Sequence, residues 1–520
     1  MTEGSLLSLW IAGALVAGTL VRMAQLPPLV GFLIAGVVGV QLGAPTPHAS
    51  FELMAELGVE LLLFTIGLKI RLSELLRPLI LSTGLAHIGL FALVMMPVVI
   101  WFQPDNPVAW ILAVGLTFSS TVMAAKVLEA RRETRAFHGR LTVGLLVMQD
   151  VVAVVLLGVL AGEAPSYWAF GLLALPLLRP VLMGWLDRLG DGELVVLGGA
   201  VLALVVGGAL FRFLGLSGEL GALVMGTLLA GHVRAKQLAD NLWAFRELML
   251  VGFFLMVGTQ VTLDWQVLEL VAVLTLLLPL KAALWVLVLC RAKLRSYTGF
   301  LAGANLFTYS EFALVVASGA LAAGLIDDRW MGALALSVVV SFVLAAPLAR
   351  YAHRLFERWE KPLSTLQRAE QHPDDQPISI GSARVLVMGM GRIGTGAYLY
   401  LRERGVAVVG LDADPTKMSA HVKAGRRVLF ADAEDPALWR TLNLDGVQMV
   451  LLAMPDASAQ EHCTIQLRKL GFQGLVVSGT RRKAAIAAIE AAGCDMVFDV
   501  ADAAGVGLGE RAWEQLGKPA

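Results

Sequence analysis

The chain has 520 residues, of which 57% are hydrophobic and 16% charged, with 41 basic and 41 acidic side chains. Ordinary soluble domains carry about a quarter charged residues, so this composition excludes a wholly soluble protein, and the charge balance offers no basic surplus for a nucleic-acid partner. Three cysteines, Cys290, Cys463 and Cys494, show neither metal-ligand spacing nor a disulfide framework and read as packing residues.

From Ser5 to about Tyr351 the chain is a series of about thirteen apolar stretches, each long enough to cross about 30 Å of hydrocarbon as a helix. The predicted fold class is a multi-pass α-helical membrane domain over residues 1–355, then a linker over 356–382 and an α/β domain over 383–520. The first stretch, LLSLWIAGALVAGTLV, has no basic segment before it and no small-residue cleavage pattern, and reads as a retained helix. Basic clusters at Lys69–Arg77, Arg131–Arg140, His232–Lys236 and Arg291–Arg295 fall on one side if the helices alternate. The loops around Asp105, Asp264 and Asp328 lack that excess, which places the N-terminus outside and the C-terminal domain in the cytoplasm of a cell inner (plasma) membrane.

An internal repeat runs through these stretches. LPPLVGFLIAG, ending at Gly36, resembles SGELGALVMG, ending at Gly226; the segment Glu56 to Leu72 resembles Glu247 to Leu263, with Gly67 over Gly258; and LTFSST, Leu116 to Thr121, lies over LFTYSE, Leu306 to Glu311. The offset is roughly 190 positions throughout, and the paired helices stand an odd number of passes apart, so the repeat is inverted in topology. The third pair carries Thr117, Ser119, Ser120 and Thr121 in one copy and Thr308, Tyr309 and Ser310 in the other. Hydroxyls at that depth are expected where a crossover helix is broken and its freed peptide groups line a cavity.

Three charges lie within apolar segments. Asp150, in GRLTVGLLVMQDVVAVVLLGVLAG, costs about 2.5 to 3.5 kcal/mol at bilayer depth and is expected to face a cavity, where one carboxylate holds either a proton or a monovalent cation. Competition at one such group is antiport. Gln149 offers a carbonyl oxygen to the ion or lines a neighbouring helix interface, since successive helical residues diverge by about 100°. Lys281 is expected to be a structural counter-ion, or to release a proton itself, and Glu311 to be its partner in preference to a direct ion ligand. Glu56 and Glu60 read as an entrance or a solvated helix end.

After Tyr351 the segment RLFERWEKPLSTLQRAEQHPDDQPISIGS suits an amphipathic helix tail and a linker. Then ARVLVMGMGRIGTGAYLYLRERG gives a strand, the turn Gly389-Met390-Gly391-Arg392-Ile393-Gly394 and a helix, and the next strand ends at Asp412. Gly389 permits the tight turn, Gly391 the approach of a pyrophosphate, and Gly394 close helix packing, while Asp412 accepts a ribose hydroxyl. Strands at RRVLFADAED, VQMVLLAMPD, GLVVSG and DMVFDV complete a doubly wound sheet of about six strands. No second domain supplies a substrate pocket, so the domain reads as a nucleotide sensor and the chain as no enzyme.

The motifs GFLIAG, LLFTIGL, LTFSSTVMAAKVLE, LLVMQD, LGALVMGTLLAG, SEFALV and VMGMGRIG cover nearly the whole chain and resemble the Kef-type potassium/proton antiporters of the monovalent cation:proton antiporter family. The resemblance implies an ion site at Gln149 and Asp150, with Ser120 and Thr121 on the first crossover helix, Glu311 on the second, and Lys281 as the membrane lysine. It also implies a regulatory adenine nucleotide, NAD(H) or AMP, at Gly389, Gly391, Arg392, Gly394, Asp412 and Asp432, and a homodimer. The transported cation is then potassium, with sodium as the alternative. Where the family reads Gly-Glu-Phe this chain has Ser310-Glu311-Phe312, and no glutathione-sensing extension is evident. A channel would require a glycine-rich filter, which the sequence lacks.

Overall fold

The computed structural model describes residues 3–516 except 25, 70–75, 105–108, 132, 135, 161–171, 173–174, 189–191, 233, 262, 377–378, 432, 434–437 and 440–441. Asp432, most of the basic cluster Lys69–Arg77, Arg132 and Arg135 of the next cluster, and the loop at Asp105 therefore lie outside the described residues. Contacts divide the chain into two compact units, Met1–Val127 with Leu141–Glu370, and Leu128–Arg140 with Gln371–Ala520.

The first unit is helical. In chain order it contains α1 (Glu3–Met23), α2 (Pro28–Gln41), α3 (His48–Lys69), α4 (Pro78–Phe102), α5 (Ala109–Gly115), α6 (Thr121–Ala130), α7 (Phe137–Leu160), α8 (Leu175–Arg188), α9 (Glu193–Phe213), α10 (Gly218–Leu229), α11 (Ala235–Thr259), α12 (Trp265–Arg291), α13 (Ser296–Asn305), α14 (Glu311–Ala322) and α15 (Asp328–Ser364). Among the described residues, seven of these, α1, α4, α7, α9, α11, α12 and α15, are long and apolar enough to cross a membrane, and α2, α10 and α14 are shorter apolar helices. Local chemistry sets the starts. Pro28 and Pro78 occupy first-turn positions where an amide donor is not needed, and the Asp264 and Asp327 carboxylates accept the Val267 and Trp330 N–H groups at 2.8 and 3.1 Å. The middle of α9, Val201–Ala209, is π-helical.

The inverted repeat is written into the packing. A Cβ on Gly36 of α2 would lie 2.8 Å from Gly258 Cα and 2.5 Å from the Leu255 carbonyl of α11. A Cβ on Gly226 of α10 would lie 3.0 Å from Gly67 Cα and 2.2 Å from the Phe64 carbonyl of α3. The repeat carries Gly36 onto Gly226 and Gly67 onto Gly258, so one contact is the image of the other. Backbones meet this closely only where no side chain intervenes, which is why small residues sit at membrane helix crossings. The result is a scaffold half of α1–α3 with α9–α11, beside a second half built around α4–α7 and α12–α15.

Both crossover helices are broken where the hydroxyl-rich segments predict. Residues 116–120 separate α5 from α6, and 306–310 separate α13 from α14. The last helix, α15, continues to Ser364, so the amphipathic tail belongs to it.

The second unit contains a six-stranded sheet in the order β3-β2-β1-β4-β5-β6, with every pairing parallel. Its strands are β1 (Val385–Met388), β2 (Val408–Asp412), β3 (Val428–Phe430), β4 (Met449–Leu452), β5 (Leu475–Thr480) and β6 (Met496–Asp499). The helices are α16 (Arg392–Glu403), α17 (Pro415–Lys423), α18 (Ala457–Lys469), α19 (Ile486–Ala491) and α20 (Val500–Leu516). All four β1 residues and all five of β2 are buried, as expected of parallel strands covered on both faces. The order reverses at β1, whose neighbours are β2 and β4, and open α/β sheets bind ligands at that switch point.

Candidate functional site

Four half-helices converge on one place in the membrane unit. The unwound segments 116–120 and 306–310 tie to each other: Ser119 Oγ donates to the Leu306 carbonyl at 2.8 Å, and the Ser120 N–H donates to Thr308 Oγ1 at 3.2 Å. Ser120 then caps α6 by accepting the Met123 N–H at 3.2 Å, and Ser310 caps α14 by accepting the Phe312 N–H at 3.0 Å. The hydroxyls that mark these segments in sequence thus do two jobs, satisfying freed peptide groups and starting the next half-helix.

Ends of opposite polarity are sorted by this crossing. The N-termini of α6 and α14 present partial positive charge, and the C-termini of α5 and α13 present partial negative charge. The acids sit at the positive ends. Asp150 of α7 is 3% exposed and accepts from Thr121 Oγ1, the first residue of α6, at 3.3 Å to Oδ2. Glu311 is the first residue of α14, faces Ser120 and the Val122 backbone, and lies within electrostatic reach of Asp150. One Glu311 oxygen, Oε2, is buried without a partner.

Lys281 occupies the negative side. Its fully buried ammonium donates to the carbonyls of Phe118 and Thr308, each at 2.7 Å, and lies 5.0 Å from the Tyr309 ring centroid. The expected Glu311 pairing is not found: the ammonium makes no ion pair with a described carboxylate. Lys281 instead closes the two unwound segments, one bond to each, because the carbonyls freed there are nearer and need a donor more than the acids do. His87 of α4 backs it, stacked on Trp285 at 3.8 Å between centroids and 3.3 Å from the Lys281 carbonyl.

Gln149 is likewise spent on backbone. Its Oε1 accepts the Ser119 N–H at 2.9 Å and its Nε2 donates to the Thr117 carbonyl at 3.4 Å, so of the two readings of this residue the geometry favours an interface part. Glu60 departs from the solvated-end reading: it is fully buried on α3, hydrogen-bonded to Arg212, which also pairs with the half-exposed Glu56 at 2.7 Å.

In the second unit the glycine-rich turn follows β1. Gly389 has φ +93°, and a Cβ there would lie 2.8 Å from the Met454 amide nitrogen, so only glycine fits. A Cβ on Gly394 would strike the Gly389 carbonyl at 1.9 Å, while one on Gly391 would meet nothing within 4 Å. Open space at Gly391, in front of the α16 N-terminus, is what an anionic group approaching the amides of that first turn requires. Arg392 is exposed at the same end.

Asp412, ending β2, has a role the sequence did not reveal. Its Oδ2 accepts the Met390 N–H at 2.7 Å and its Oδ1 accepts the Asp414 N–H at 2.8 Å, so it fixes the turn at the end of β2. His421 adds a contact from the other side, 3.0 Å from the Met390 carbonyl. Each Asp412 oxygen keeps a second lone pair for a ligand hydroxyl. The partly exposed Asp414 stands two residues on, paired with Lys417 at 3.4 Å.

Comparison with known proteins gives matches over both units. A family described as sodium/hydrogen exchanger, transmembrane, matches residues 11–350, and the TrkA-N domain matches residues 385–500. The glutathione-regulated potassium-efflux system protein KefC of Cronobacter sakazakii is 30% identical over 485 residues, covering 87% of this chain and 75% of the relative. Its counterpart in Klebsiella pneumoniae subsp. pneumoniae is 31% identical over 485 residues, covering 86% and 74%. The solved TrkA-N domain of inner membrane protein ybaL from Escherichia coli aligns at 16% identity and a TM-score of 0.23, covering 26% of this chain and 96% of that one.

Proposed function

Because the chain belongs to the sodium/hydrogen exchanger family, as a Kef-type member with a C-terminal TrkA-N domain, we propose that it exchanges potassium for protons across a cell inner membrane at Asp150. The observation that carries this reading is a carboxylate 3% exposed, held by one hydroxyl, at the positive end of a broken helix and within electrostatic reach of a second acid. Two acids facing each other bind a compensating positive charge readily, and in a narrow site a cation and a proton exclude one another. Thr121 and Ser120 orient the acids. Lys281 and Gln149 keep the unwound segments open by holding their peptide groups, which leaves Asp150 and Glu311 for the transported ion. Alternating access then exposes Asp150 to one face of the membrane or the other, with the N-terminus outside and the TrkA-N domain in the cytoplasm.

An adenine nucleotide, NAD(H) or AMP, is read as the regulator. Gly391 and the first amides of α16, with Arg392, would take its phosphates, and Asp412 its ribose, a carboxylate there disfavouring a 2′-phosphate. Asp432 is assigned to the adenosine end by resemblance alone. A ligand changes transport only as far as it binds one transport state better than another. Two copies of the chain are proposed to form a homodimer.

Reconstituted protein tests the reading. Internal pH is followed in proteoliposomes while external potassium, sodium and lithium are varied, with and without NAD(H) or AMP. Potassium-driven proton movement stronger than that with sodium, and altered in rate by nucleotide, is expected. Proton movement with no cation dependence would overturn antiport, and a rate indifferent to nucleotide would overturn the regulatory part.

A further inference from the structure

The glycine-rich turn after β1 is braced at both peptide groups of Met390. Asp412 takes the N–H, at 2.7 Å. The carbonyl has two donors, Thr395 Oγ1 of α16 at 3.1 Å and His421 Nε2 of α17 at 3.0 Å. His421 is 6% exposed, and its other ring nitrogen, Nδ1, lies 2.9 Å from Arg426 Nη1. A guanidinium only donates, so Nδ1 is the acceptor, a ring proton sits on Nε2, and Nε2 donates to the Met390 carbonyl. Gly425, at φ +66°, turns the chain after α17 so that Arg426 folds back on His421, its N–H donating to the His421 carbonyl at 3.0 Å.

The Met390 carbonyl and the Gly391 N–H belong to one peptide group. That group is planar and trans, so its oxygen and hydrogen point in opposite directions, and a donor that fixes the oxygen fixes the hydrogen. Without such a donor the group turns easily, because Gly391 has no Cβ to resist. The Gly391 N–H meets no acceptor among the described residues, and a Cβ on Gly391 would meet nothing within 4 Å. Gly391 is also the residue that caps α16, so this unspent donor stands at the positive end of a helix. We propose that His421 is a positioning residue for the phosphate of the nucleotide. Through the Met390 carbonyl it holds the Gly391 N–H toward the anion, and Arg426 fixes the tautomer that can do so. The proposal rests on the adenine-nucleotide reading of this domain.

Calorimetry on the full-length protein tests it with AMP and NAD, which carry phosphate, and adenosine, which does not. His421→Phe fills the space but donates nothing. It should weaken the phosphate-bearing ligands about tenfold, the scale of one hydrogen bond to a charged group, and leave adenosine as in the wild type. His421→Gln places an amide N–H where Nε2 stood and should restore most of the loss. Arg426→Met, which frees the tautomer, should show the same contrast between AMP and adenosine at smaller size, and carries the test if His421→Phe does not fold. Equal weakening of AMP and adenosine would mean a loosened turn and would overturn the proposal. So would unchanged AMP and NAD binding in His421→Phe, or a Gln variant no better than Phe. A wild-type chain that binds none of the three ligands would overturn the nucleotide reading itself, and the proposal with it.

Discussion

Lys281 shows how a buried charge is assigned by its hydrogen bonds. Its two acceptors are the Phe118 and Thr308 carbonyls, so Lys281→Gln should lower the melting temperature of the detergent-solubilised protein. A buried carbonyl left without a donor costs about 1 to 3 kcal/mol. The order of cation preference should survive in that variant, and a clean inversion of preference would show that Lys281 addresses the ion directly. Cysteine chemistry gives a second check at this scale. All three cysteines are buried thiols outside any disulfide, and burial pushes the Cys494 thiol up, against partial relief from the Met496 backbone. A raised thiol holds little thiolate at neutral pH, so labelling of the folded protein by a thiol reagent at pH 7 should be slow and should complete only on denaturation; rapid labelling of one cysteine would contradict the packing role. The burial of Asp150 was readable in the sequence because a carboxylate amid apolar residues has few solvated places to go. Gln149 and Lys281 were less so, since their partners are backbone atoms exposed only once two helices break and cross.

The scaffold helices depend on their glycine pairs. Gly36 meets Gly258 and Gly67 meets Gly226 with no room for a Cβ, so Gly36→Val and its repeat counterpart Gly226→Val should destabilise by similar amounts, about 1 to 3 kcal/mol or more. Thermal unfolding of the two variants measures this; a shift in one and not the other would mean that the two crossings are unequal. The repeat was legible for the same reason: glycines at constant offset leave a trace in sequence where backbones touch. Hydroxyl-rich runs likewise announced the breaks at 116–120 and 306–310. The π-helical stretch of α9 left no such trace, because Val201–Ala209 is apolar and small like any membrane helix. Glu60 was misread for a related reason. Its cover comes from Arg212 and from Gly208 and Gly218, more than a hundred residues away, and spacing along α3 says nothing of them.

Across the whole molecule, a transport unit and a nucleotide-type domain are joined in one chain, and each has a test of its own. In the TrkA-N domain, Asp412 holds the amides of Met390 and Asp414, so Asp412→Ala should weaken adenine-nucleotide binding by calorimetry on the full-length protein. The effect should exceed that of a lost ribose contact alone, since the turn loosens too. Apparent potassium affinity should be unchanged in the same variant, and a fall in it would place the effect at the ion site. Six parallel strands were readable as alternating apolar runs and helices, with the switch point fixed by the turn at Gly389. The central claim, that proton and cation compete for Asp150, is tested most directly by proton release on cation binding. Potassium is added to purified protein in weakly buffered detergent solution, and the pH is recorded. Protons should be released by the wild-type chain and none by folded Asp150→Asn, whereas undiminished release from that variant would contradict the assignment.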